Sequence, residues 1–244
     1  MTTPTTLAVF WYAALTAAAT GLGALPFALV QVVSSRLVAL ANAIAAGLML
    51  GASFALVVEG GRQGAGATEF GVLLGVGFVM AAERLLRGRE VRFAGVEGAG
   101  ARRMLLMVGI MTVHSAAEGV AVGVAFGGTG VLAAAITIAI AVHNIPEGLA
   151  ITAVLRPRGV SLVQCAGWSV FSSLPQPLLA VPAFLFVQAF SAALPYGLGF
   201  AAGAMMFMVF EELLPEAYGE APRASVAALA SLFLVAMVVF QRYL

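Results

Sequence analysis

The chain has 244 residues, 62% of them hydrophobic and only 9% charged, against roughly 25% charged in a soluble domain. No water-solvated surface can be assembled from that composition, and with a formal net charge of +1 no nucleic-acid partner is expected. The long apolar stretches have the length, about 20 residues, that a helix needs to cross a hydrocarbon core of roughly 30 Å, so lipid is the expected solvent.

In chain order, residues 1–6 lack the basic region that precedes the apolar core of a secretory signal, so the first apolar segment reads as a retained span. Hydropathy and breakers predict eight spans, at 7–29, 37–58, 70–86, 104–126, 131–155, 162–187, 194–214 and 224–240. The fold class is therefore an all-α integral membrane protein, an eight-transmembrane-helix bundle forming a single domain over 1–244. The third span is short and Gly-rich, and the sixth is interrupted by Pro175, Pro177 and Pro182. The polar stretch 87–103, with five arginines, Glu90 and Glu97, is expected to be a flexible cytoplasmic loop. Cys165 is the only cysteine, which excludes an intrachain disulfide and a thiolate metal cluster.

Arginine sets the orientation, because the chain has no lysine and cytoplasmic loops carry the excess of positive residues. With both termini outside, Arg36, Arg84, Arg87, Arg89, Arg92, Arg102, Arg103, Arg156, Arg158 and Arg223 fall on the cytoplasmic side, leaving Arg62 and Arg242 outside. The expected location is the cell's inner membrane, crossed many times, with both termini extracytoplasmic.

Two internal repeats stand out. At an offset of 156, Ala45-Ala46-Gly47 aligns with Ala201-Ala202-Gly203, Met49 with Met205, Phe54 with Phe210 and Pro26 with Pro182. Five spans separate the copies, so they must have opposite orientations in the membrane. An inverted repeat of this kind is a common transporter plan with its site near the midplane.

The second repeat uses both histidines. His114-Ser115-Ala116-Ala117-Glu118-Gly119 and His143-Asn144-Ile145-Pro146-Glu147-Gly148 both read His-x-x-x-Glu-Gly. Residues four apart share a helical face, so each helix presents an imidazole and a carboxylate in one direction. Two such helices face to face would supply two nitrogens and two carboxylates to one ion, a donor set suited to Zn2+ and Fe2+ and less to Cu+. Carboxylates deep in a span are costly and face a bundle interior or a path; a divalent cation balances two of them. Pro146 frees the Val142 carbonyl near the ligands, and Gly119 and Gly148 would let another helix or a moving ion approach. Asn144 adds an amide that could coordinate or orient. Glu211, Glu212 and Glu216 could form an acidic exit vestibule or simply a solvated helix end. Gln176, in the broken sixth span, is a candidate to touch the pathway; Met49 and Met205 offer soft sulfur or core filling.

These motifs, together with Glu211-Glu212-Leu213-Leu214-Pro215-Glu216-Ala217, resemble the ZIP (Zrt-, Irt-like) family of divalent-metal transporters, most closely its prokaryotic GufA-type branch. The resemblance implies an eight-helix fold in which helices 1–3 and 6–8 are inverted repeats flanking helices 4 and 5, a 3+2+3 plan. It implies no enzymatic cofactor. The metal is cargo, with Zn2+ first and Fe2+, Mn2+ or Cd2+ behind it, moved toward the cytoplasm by alternating access or an elevator-like slide, often in a homodimer. His114, Glu118, His143 and Glu147 would be ligands, Asn144 a ligand of a second ion, and Met49 a contact from helix 2. Many relatives have Asn at the position of Ser115, Pro at Ala117 and Glu where Gln176 stands. One well-formed site is therefore expected. The alternatives are a membrane-embedded metal-dependent hydrolase, for which no His-Glu-x-x-His motif is present, and a static metal-binding sensor.

Overall fold

In the computed structural model, residues 5–29, 34–87 and 99–243 are described, the side chains of 82, 83, 85–87, 99–107, 110, 113, 114, 157 and 241–243 excepted. Every regular element among them is helical: α1 (Thr6–Leu22), α2 (Pro26–Leu29), α3 (Ser35–Arg87), α4 (Ala99–Gly127), α5 (Gly130–Leu155), α6 (Leu162–Ser172), α7 (Pro175–Ala189), α8 (Leu194–Met208), α9 (Leu214–Glu220) and α10 (Arg223–Tyr243). A π turn over Val209–Leu213 joins α8 to α9. Among these residues, six apolar segments are long enough to cross a bilayer: Thr6–Leu29, Ser35–Ala81, Gly130–Leu155, Leu162–Ala189, Ser191–Glu220 and Arg223–Phe240. A shorter apolar helix covers Ser115–Gly127. Leu29, Leu73, Val163, Leu178, Phe210 and Leu232 are exposed, which suits a surface wetted by acyl chains.

If straight, the 53 residues of α3 would reach about 80 Å, far more than a bilayer. Instead the backbone is extended at Gly64, with φ 175° and ψ 94°. A Cβ on Gly60 would meet the Thr68 hydroxyl, although eight residues of continuous helix separate their ends by about 12 Å. The chain therefore doubles back, and α3 is a hairpin of two helical limbs, 35–63 and 65–87. These limbs contain the expected second and third spans.

Elsewhere the breaks follow backbone chemistry. Ser172 and Ser173, both buried, end α6, and α7 restarts with Pro175 in its first turn, where a missing N–H costs nothing. Pro182 lies inside α7 without dividing it, whereas Pro26 opens α2, so the aligned prolines do not mark like breaks. Pro215 cannot donate to the carbonyl of Glu211; just before it the chain slips into π register, and the Leu214 N–H bonds to the Val209 carbonyl. The predicted loop 87–103 overlaps α4 at its end. Residues 88–98 lie outside the described ones, and α4 already begins at Ala99, placing Arg102 and Arg103 on a helix.

Glycines set the packing. A Cβ on Gly71 would run into the Tyr196 carbonyl, one on Gly75 into that of Phe200, one on Gly199 into that of Thr68 and one on Gly203 into that of Val72. This reciprocal contact locks the second limb of α3 to α8, and Gly47 and Gly51 seat α10 on the first limb in the same way. A second set locks other helices: Gly119 and Gly123 on α4 receive the backbone of α7, while Gly23 and Gly148 join the end of α1 to α5. Helices in lipid lack a hydrophobic driving force toward one another and associate through such close backbone approach. Two units result, a site-bearing unit (α1, α4, α5, α6 and α7) and a flanking unit (α3, α8, α9 and α10). Across the seam between them the glycine contact is milder, Gly197 against the Val124 side chain.

Gly75 and Gly77 occupy one limb but differ in surroundings, since nothing lies within 4 Å of a Cβ on Gly77. Gly75→Ala is expected to destabilise by about 1–3 kcal/mol through overpacking, lowering the melting temperature in detergent. Gly77→Ala should leave it unchanged or slightly raised; equal melting temperatures for the two variants would contradict the locked interface.

Candidate metal site

The glycine after each glutamate does the same work in both copies of His-x-x-x-Glu-Gly. Gly119 lets α4 lie on the chain at Pro175 and Gln176, and Gly148 lets α5 lie on the Thr20 carbonyl of α1. The space is used by neighbouring helices rather than by an open path. As a result the carboxylates of Glu118 and Glu147 are held in the middle of the site-bearing unit, 0% and 3% exposed.

Glu118, His143 and Glu147 form the cluster. One donor atom from each lies within 4.8 Å of the others, and all three residues are buried. His143 Nε2 is 3.1 Å from Glu118 Oε1. Two ligands each about 2 Å from a zinc ion at a tetrahedral angle are about 3.3 Å apart, so this pair already has the separation an ion between them would impose. Neither carboxylate oxygen of Glu147 has a hydrogen-bond partner among the described residues, and the same is true of Asn144 Oδ1 and Ser115 Oγ. A buried carboxylate without hydrogen bonds is an expensive object in a low-dielectric interior unless a cation answers it. The donor set of imidazole and carboxylates suits a borderline divalent ion.

The other expected site residues fall in different places. The side chain of His114 lies outside the described residues; its backbone is one turn before Glu118 on α4. Asn144 is fully buried, and its Nδ2 donates to the Thr16 carbonyl at 2.7 Å and to Gln176 Oε1 at 3.2 Å. Gln176 is fully buried, and its Nε2 donates to Glu118 Oε2 at 2.7 Å, so both of its polar atoms have protein partners. Met49 and Met205 are buried in the central apolar cluster with Ala117, Ala121, Ala139 and Ile140. Glu211 is exposed and Glu212 half-buried, the latter close enough to Glu147 for their charges to interact. Glu216 accepts from Asn42 Nδ2 at 3.1 Å.

Thr16 and Asn42 escape sequence reading. Thr16 contacts a residue 160 positions away, and a threonine or asparagine in an apolar helix carries no signal of its partner. The one hint is Thr16 and Thr20 at a spacing of four, which puts both hydroxyls on the α1 face that meets α7 and the α6–α7 break.

Comparison with known proteins adds relatives to this geometry. A family model described as ZIP zinc transporter matches residues 94–239. A provisionally named zinc transporter of Arabidopsis thaliana is 47% identical over 91% of this chain, which spans only 36% of that protein's length. The zinc transporter GufA of Myxococcus xanthus is 34% identical, covering 82% of this chain and 84% of its own. The zinc transporter ZIPB of Bordetella bronchiseptica is 33% identical, covering 89% and 76%.

Replacing Glu147 by Gln keeps the shape and removes one of the two charges. Zn2+ affinity measured by equilibrium dialysis of the purified chain is expected to fall more than about tenfold, or ~1.4 kcal/mol; wild-type affinity in that variant would remove Glu147 from the ligand set.

Proposed function

The chain belongs to the ZIP zinc transporter family, and we propose on that premise that it carries divalent transition-metal ions, Zn2+ foremost, across a membrane toward the cytoplasm. The observation that carries this reading is the buried cluster of Glu118, His143 and Glu147, in which both Glu147 oxygens have no hydrogen-bond partner among the described residues. Family membership sets the hydrolase reading aside. His114, one turn from Glu118, is the fourth ligand, and Asn144 Oδ1 and the Met49 sulfur are auxiliary donors.

Eight crossings account for the helices when the two limbs of α3 and the whole of α4 are counted. The inverted repeat is supported by packing: Gly47 meets the Ala230 carbonyl of α10, and its counterpart Gly203 meets the Val72 carbonyl in the second limb of α3. These are the second and eighth spans in one case and the seventh and third in the other, as inversion requires. Arginine distribution favours termini outside the cytoplasm of a cell's inner membrane. A homodimer is compatible with the apolar outer surface.

Transport follows from where the ligands are attached. Glu118, His143, Asn144 and Glu147 all belong to the site-bearing unit, whose glycine contacts bind it into one body, whereas the seam toward the flanking unit is lined by Ala52, Leu56, Ile136 and Ile140. On the outer side a cavity of about 360 Å³ opens between α3, α5 and α10, bordered by Glu59, Arg62, Thr129 and Ala135. Ala135 lies two helical turns, about 12 Å, from His143 along α5. The buried side chains of Leu56, Ile136 and Ile140 fill that interval, so an ion from outside reaches the cluster only when one unit shifts along the other. Sliding of the site-bearing unit across this smooth seam exposes the same ligands to each side in turn, which is alternating access of the elevator kind.

Two experiments test the reading. Radiometal uptake into proteoliposomes is expected to fall sharply in Glu118→Ala and His143→Ala; wild-type rates in both would end it. The slide is tested by cross-linking, since a Cβ on Gly197 would stand 3.6 Å from that of Val124, within the range a disulfide spans. In a Cys165→Ser background, oxidised Val124→Cys/Gly197→Cys should stop uptake while still binding Zn2+, and reduction should restore it. Uptake undiminished after complete cross-linking would refute relative motion of the units.

A further inference from the structure

The orientation of the Gln176 side chain is dictated by groups that have no choice of role. The Thr16 backbone carbonyl can only accept, so the group 2.7 Å from it must be the Asn144 amide nitrogen. That nitrogen gives its second hydrogen to Gln176, so the nearer atom of the Gln176 amide is its oxygen. The Thr16 hydroxyl lies 2.7 Å from the same oxygen and 2.7 Å from the Ala13 carbonyl, so its one hydrogen is shared between these two acceptors. The Gln176 nitrogen is thereby turned toward Glu118, where it donates to Oε2 at 2.7 Å. All four residues are fully buried, and no solvent competes for these bonds.

This chain of bonds has two consequences at the cluster. Glu118 has one oxygen tied to Gln176 and the other, Oε1, beside His143 Nε2 at 3.1 Å, so a single oxygen is left to face an ion. Asn144 has its nitrogen committed and its oxygen without a hydrogen-bond partner among the described residues. The neutral amide at 176 also leaves the described cluster with two carboxylates, which one divalent ion balances. Hydrogen bonds to a ligating carboxylate fix its orientation and tune the ion it holds.

We infer that Gln176, anchored by Thr16 and Asn144, is a positioning residue that restricts the site to one divalent ion by binding one oxygen of Glu118. The inference rests on the proposed metal site and deepens it. Gln176 is a hydrogen-bond donor to a ligand rather than a ligand itself, and Thr16, on a helix without metal-binding residues, sets the coordination indirectly. In Gln176→Glu the donor to Glu118 is lost, its second oxygen becomes free to bridge, and a third carboxylate joins the cluster. That variant should hold a second ion.

Co2+ serves as the probe, because its visible spectrum reports coordination number and geometry, with the purified full chain in detergent. The ions lost between wild type and Glu147→Gln count those held at the site; a loss of one ion is the control on which the metal-site reading stands or falls. With that control satisfied, Gln176→Glu is expected to raise the count to two. Thr16→Val, which removes the anchoring hydroxyl without adding charge, is expected to shift the Co2+ spectrum and weaken binding several-fold, and Thr16→Ser to restore both. Thr16→Val decides the matter if Gln176→Glu does not fold. A single ion in Gln176→Glu, or a wild-type spectrum in Thr16→Val, would overturn the positioning role and leave the metal site itself intact.

Discussion

Two carboxylates in the middle of an apolar bundle are the constraint from which the rest of the architecture follows. Each costs about 3 kcal/mol to place at the centre of a membrane helix on insertion scales, and they are close enough to repel one another. A protein retains such groups only where something compensates them. Here the compensation is partial and unequal. Glu118 has an amide donor and an imidazole beside it, while Glu147 has no hydrogen bond from any described residue. That inequality is what the proposed cation would answer.

Holding the two carboxylates in the interior takes helices closer to their neighbours than side chains normally permit, α4 against α7 and α5 against α1, and glycine supplies the approach. Gly119 and Gly148 follow the glutamates directly, so the residues that carry charge and the residues that let the neighbouring helix in are adjacent in sequence and act as one device. The same means, used at Gly71, Gly75, Gly199 and Gly203, consolidates the flanking unit. The tightest glycine contacts fall within the units, whereas the seam between them is lined by aliphatic side chains, which is where the proposed slide is placed.

Much of this was legible beforehand, for identifiable reasons. The His-x-x-x-Glu-Gly repeat declares itself because charged residues are rare in an apolar helix and four-residue spacing has one geometric meaning. The break before Pro175 follows from proline's missing N–H, and the predicted spans fall on described helices once α3 is divided at Gly64, six apolar segments among them being long enough to cross a bilayer. The Thr16–Gln176 bond was not legible, because it joins positions 160 apart whose side chains are individually common in membrane helices. Gln176 itself was noticed for its place in the broken span, but its role as a donor to Glu118 depends on the fixed acceptor at the Thr16 carbonyl, which no residue type encodes. The π turn was hidden for another reason: Pro215 announces a lost hydrogen bond, but whether the helix kinks, ends or changes register depends on what packs around it.

That turn makes the count of residues matter as much as their identity. An α-helix advances about 100° per residue, and a π turn absorbs one residue beyond the α-helical number, so everything past Leu213 is rotated in phase relative to α8. The phase brings Glu216 to Asn42, on the helix that also carries Met49. Shortening Val209–Leu213 by one residue would restore regular winding and swing the acidic end of α9 away from that asparagine by about a quarter of a circle, with every side chain unchanged.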